Sequence, residues 1–122
     1  MSEIKKILVI DDSLFQRRVL SDMLKKNKFT VIEAKDGREG LEKLEKENPD
    51  LITLDLLMPD MNGIEVIKKA RDISSSTPII VLSADIQQTV KDECEALGIA
   101  GFLNKPAKEN QLIEAVTQAL GS

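Results

Sequence analysis

The 122-residue chain has no histidine, tryptophan or tyrosine, a single cysteine, and only three phenylalanines. Without histidine it lacks the usual general base near neutral pH and the commonest zinc ligand, so catalytic triads and zinc sites are excluded as first readings. One cysteine cannot form an intramolecular disulfide. An aromatic share of 2% is too low for base-stacking nucleic-acid modules, and a net charge of −4 has the wrong sign for a sequence-independent phosphate binder. No apolar run approaches the ~20 residues that span a bilayer. The amino terminus enters the first strand without a signal-type apolar stretch, so a cytoplasmic protein with no membrane insertion is expected.

What the chain does have is an alternation of short apolar runs with segments of helical period. Strands are expected at 5–10, 29–34, 51–55, 78–82 and 100–103, and helices at 13–27, 37–47, 63–73, 86–97 and 107–120. The runs are mostly uninterrupted, as in strands covered on both faces. No linker or repeat divides them, so residues 1–122 are expected to form one α/β domain, a doubly wound five-stranded parallel sheet with five helices. Asp36-Gly37 and Asn62-Gly63 open helices two and three, Asn48-Pro49-Asp50 closes helix two, and Gly98 follows helix four. Helix five has a full core face of Leu112, Ile113, Val116, Ala119 and Leu120. Helix four has a thin one, Ile86, Val90, Cys94 and Leu97, with Cys94 expected as a buried small hydrophobe. On helix one, Leu14 and Phe15 fall off the stripe of Leu20, Met23 and Leu24 and are expected near the surface.

Four strands end in polar residues of different kinds: Asp11-Asp12, Asp55, Ser83, and Asn104 followed by Lys105. In a parallel sheet these ends share the carboxyl edge, where open α/β sheets bind ligands. Two carboxylates ~4 Å apart repel by about 4 kcal/mol at an effective dielectric of 20, which demands a proton or a cation. Oxygen donors without histidine or thiolate select a hard ion, and few carboxylates with room for water and phosphate favour Mg²⁺. A carboxylate can also take a phosphoryl group if its charge is balanced, with Lys105 as a second cation and Ser83 as a hydroxyl donor.

The acids in Leu8-Val9-Ile10-Asp11-Asp12-Ser13, the run Asp55-Leu56-Leu57-Met58-Pro59-Asp60-Met61-Asn62-Gly63, the pair Ser83-Ala84, and Phe102-Leu103-Asn104-Lys105-Pro106 together resemble the receiver domain of bacterial two-component response regulators, of the stand-alone chemotaxis type. The resemblance covers the whole chain. It implies the flavodoxin-like strand order 2-1-3-4-5 and a cis Lys105-Pro106 bond. It further implies phosphorylation of Asp55 by a sensor histidine kinase, with Mg²⁺ held by Asp11, Asp12, Asp55 and the Leu57 carbonyl. Lys105 would contact the phosphoryl oxygens, Ser83 and Phe102 would form the switch pair, and helix four, strand five and helix five would present the output surface. Such a protein is a signalling switch rather than an enzyme, acting on a partner such as a flagellar motor component or passing its phosphoryl group along a relay. Leu57 and Asp85 flank the site and are expected to tune dephosphorylation, by a phosphatase or by water, with a helix-four cap as the plainer role for Asp85. A Mg²⁺-dependent phosphatase of haloacid-dehalogenase type fits worse, because its Asp-x-Asp spacing and capping module have no counterpart here.

Overall fold

A computed structural model describes residues 4–84 and 87–121. The elements follow in strict alternation: β1 (Lys6–Ile10), α1 (Leu14–Lys26), β2 (Thr30–Ala34), α2 (Gly37–Glu47), β3 (Leu51–Asp55), α3 (Gly63–Ile73), β4 (Ile79–Ser83), α4 (Gln88–Ala96), β5 (Gly101–Asn104) and α5 (Glu109–Ala119). All strand pairs are parallel, and their order is β2-β1-β3-β4-β5. The register sets Ile10 beside Leu54, Asp55 beside Leu82 and Ser83 beside Asn104, which aligns the carboxyl ends of the central strands along one edge.

Side chains alternate between the two faces of a strand, so an apolar run buried on both sides feeds two cores. Leu8, Ile10, Ile52, Leu54 and Val81 join Leu44, Val66, Ile67 and Cys94 in one cluster. Ile7, Val9, Leu51, Ile80 and Leu82 join Leu20, Leu24, Leu112 and Val116 in the other. Of the expected face of α5, Leu112 and Val116 are buried, while Ile113, Ala119 and Leu120 pack around them half-buried.

Three helix starts are fixed by side chains accepting from free backbone N–H groups. Ser13 accepts from Gln16, Asp36 from Glu39 and Asn62 from Ile64. α2 ends on Asn48 in the left-handed conformation, the turn expected from Asn48-Pro49. α4 is shorter than its periodicity suggests: it starts at Gln88, and Gln87 at its cap position makes no side-chain capping bond. Cys94 is its one buried residue, with Val90 and Leu97 half-buried against the core. Asp85 and Ile86 lie outside the described residues.

Candidate functional site

Asp11 follows β1, Asp55 ends β3, and the two strands are neighbours, so the fold brings their carboxylates to one place. Asp11, Asp12 and Asp55 each offer a carboxylate oxygen within 4.8 Å of the others. Asp11 and Asp55 are buried, whereas Asp12 faces solvent. Lys105, one residue past β5, sets its ammonium between the two buried acids, 2.9 Å from Asp11 Oδ2 and 3.2 Å from Asp55 Oδ2. It also donates to Gln16 Oε1 on α1. Three acceptors match the three N–H donors of an ammonium.

The backbone supports the same groups. Leu57 N–H donates to Asp55 Oδ1 at 3.3 Å, and Ser13 N–H to Asp11 Oδ1 at 2.9 Å. Lys105 N–H donates to the Ser83 carbonyl at 3.0 Å, fixing the step from β5 into the site, and the Lys105-Pro106 bond is cis, as the resemblance implied. Burial pushes the Asp55 carboxyl above its ordinary value; the Asp11 charge adds to this, and Lys105 with the Leu57 N–H opposes it without cancelling it.

This donor set fits a magnesium ion. It consists of oxygens only, one carboxylate is open to water, and the three acids converge within 4.8 Å beside the ammonium of Lys105. Ser83 is buried at the tip of β4, and Phe102 lies half-buried on β5 against the core, its ring 5.9 Å from Lys91 Nζ. Leu57 is exposed beside Asp55.

Three contacts went unread in the sequence. Gln16 binds Lys105; Asp60 accepts from the N–H groups of Gly37 and Arg38, tying the β3–α3 loop to the start of α2; and Arg17 Nη1 donates to the Asp11 carbonyl at 2.7 Å. A signal for the last was present. A cation in the opening turns of a helix opposes the helix dipole, and that placement marks a residue held for another reason.

Comparison with known proteins agrees with this geometry. Residues 7–117 match the response regulator receiver domain. The chain is 36% identical over 116 residues to the chemotaxis protein CheY of Bacillus subtilis, covering 94% of this chain and 97% of that one. It is 38% identical over 115 residues to the chemotaxis protein CheY of Thermotoga maritima, covering 93% and 96%. Among solved structures, CheY4 of Vibrio cholerae superposes with a TM-score of 0.90 at 34% identity, over 96% of this chain and 99% of that one. A sheet of order 2-1-3-4-5 with its acids at the switch point, and relatives matched over nearly their whole length, lead to one conclusion: the chain belongs to the response regulator receiver family, as a receiver of the CheY type.

Proposed function

We propose that the protein is a phosphorylation switch in which Asp55 accepts a phosphoryl group from the phosphohistidine of a sensor kinase. The observation that carries this reading is the single ammonium of Lys105 lodged between two buried carboxylates, beside a third that is open to solvent.

An oxygen of Asp55 attacks phosphorus as the P–N bond to the donor imidazole breaks, and the bonding electron pair leaves with the nitrogen. Asp11, Asp12, Asp55 and the Leu57 carbonyl would hold Mg²⁺. When bound, that ion supplies positive charge against the phosphoryl oxygens. Lys105 already touches Asp55 Oδ2 and transfers that hydrogen bond to a phosphoryl oxygen as it arrives. The Leu57 N–H holds the other Asp55 oxygen, so the carboxylate presents a fixed face.

Ser83 then donates its hydroxyl to the new anion, and the Phe102 ring turns inward into the space this opens. A local charge thereby biases a two-state packing arrangement. The partner surface is formed by α4, β5 and α5, and relatives named for chemotaxis support a docking target of that kind, such as a flagellar motor component. Leu57 sits where it can hinder the water that hydrolyses the acyl phosphate. The protein turns over only its own phosphoryl group.

The test is incubation with a small acyl phosphate, with and without Mg²⁺, followed by intact mass. One labile adduct is expected, dependent on Mg²⁺ and absent from Asp55→Asn. An unmodified wild type, or an equally modified mutant, defeats the proposal.

A further inference from the structure

Asp11 is held at each of its polar atoms. Its N–H donates to the Ala34 carbonyl at 3.1 Å, Oδ1 accepts from Ser13 and Oδ2 from Lys105, and its carbonyl accepts from Arg17. The last bond has a consequence for the next residue. A peptide group is planar, so fixing the direction of the Asp11 carbonyl fixes the plane that leads to the Asp12 Cα. Asp12 itself is exposed, and packing around its side chain does little to aim it.

The Arg17 side chain is only 12% exposed, and its Nε donates to Glu33 Oε1 on β2 at 3.0 Å while Nη1 reaches the Asp11 carbonyl. Glu33 is anchored in turn by Lys43 on α2, whose ammonium donates to its carbonyl at 2.6 Å; Arg18 also reaches Oε1 at 3.2 Å, but its side chain is 65% exposed and such a pair adds little to the brace. A guanidinium fork can make both of these bonds at once, whereas an ammonium cannot reproduce that planar spacing. The first turn of α1 carries no acid, and two arginines follow it, against the polarity of the helix dipole. Local helix stability does not explain that placement.

From this geometry we propose that Arg17 is a positioning residue for the divalent-cation site: braced by Glu33, it fixes the Asp11–Asp12 peptide plane and so aims the Asp12 carboxylate. The inference rests on the reading of Asp11 and Asp12 as cation ligands. It adds a group that holds ligands in place without touching the ion, a kind of support whose loss typically weakens metal affinity about 10-fold or more.

Charge alone predicts the opposite sign. Removing a cation from beside a cation site strengthens binding by Coulomb's law, and replacing it with another cation changes little. Mg²⁺ is titrated calorimetrically into the full chain without any phosphodonor, for wild type, Arg17→Lys, Arg17→Gln and Arg18→Gln. Both Arg17 variants are expected to bind about 10-fold more weakly, and Arg18→Gln as tightly as wild type or tighter. Metal-free Arg17→Lys is further expected to show shifted amide resonances at Asp12 and Ser13, with a near-native unfolding midpoint.

Wild-type affinity in Arg17→Lys, or equal weakening in Arg18→Gln, would overturn the inference. Should Arg17→Gln fail to fold, Arg17→Lys decides, because it keeps a charge beside Glu33. A wild type that binds no Mg²⁺ sinks the underlying assignment of the site, a result distinct from a wild type that binds and an Arg17→Lys protein that binds equally well.

Discussion

The ammonium of Lys105 rests 2.9 Å from Oδ2 of Asp11, joining residues 94 positions apart in the chain. This ion pair, with the contact to Asp55, offsets the repulsion between the two buried carboxylates. Lys105→Met leaves the buried Asp11 and Asp55 facing each other uncompensated, and breaking such a pair costs about 3 kcal/mol. Urea unfolding without metal is expected to show that loss. Added Mg²⁺ is expected to restore part of it, by binding only the folded state.

Leu57 is exposed and next but one to Asp55, the proposed phosphoryl acceptor. Leu57→Asn places an amide where an attacking water can be hydrogen-bonded and oriented. Hydrolysis of the aspartyl phosphate, followed by loss of the adduct mass, is expected to quicken several-fold. Stability should stay within about 0.5 kcal/mol of wild type, since the side chain is on the surface.

Gly63 opens α3 hard against the β3–α3 loop. A Cβ there would meet the Leu56 Cα at 2.6 Å, a backbone atom that cannot swing aside. Alanine gains about 1 kcal/mol of helix propensity over glycine, but overpacking costs about 1–3 kcal/mol, and a backbone clash falls at the upper end. Gly63→Ala is therefore expected to lower stability by about 1–2 kcal/mol. It also displaces the loop bearing the Leu57 carbonyl, so adduct formation should need more Mg²⁺.

Thr53 Oγ1 is buried on β3 without a hydrogen-bond partner among the described residues. Replacing an unsatisfied hydroxyl by a methyl of the same shape removes a desolvation penalty. Thr53→Val is expected to raise the unfolding free energy by about 1 kcal/mol in urea titrations. A decrease would show that the hydroxyl has a partner in solution.

Burial pushes the Cys94 thiol above its ordinary value of 9.0, and Glu93 and Glu95 add to that shift. The folded state then holds the proton more tightly than the unfolded chain. Its contribution to stability is complete below pH 9.0 and declines as pH rises from there through the folded value. At pH 8 a disulfide reagent should react with native protein far more slowly than with protein in urea, and Cys94→Ala should flatten the alkaline fall in stability.

Much of the fold was legible because its signals are local. The apolar runs, the caps Asp36 and Asn62 and the turn after α2 each depend on residues within a few positions, and the strand bounds agree to within one residue. Leu14 and Phe15 are exposed, as their angle on α1 requires. α4 and α5 both start two residues later than expected, at Gln88 and Glu109, and neither start carries a side-chain capping bond of the kind that marks α2 and α3.

The sequence by itself determined the layering of the sheet and which side chains stand at its carboxyl edge, because a period of two along strands and of 3.6 along helices decides which residues can be buried. The tertiary structure alone decided which of those side chains meet. Lys105 is caught by Gln16, Asp60 crosses to the start of α2, and Arg17 reaches past its own helix to the Asp11 carbonyl. The first two depend on how elements far apart in sequence cross in space; the third spans 6 positions, and although the placement of Arg17 marks the side chain, residue types do not name its partner, a backbone carbonyl.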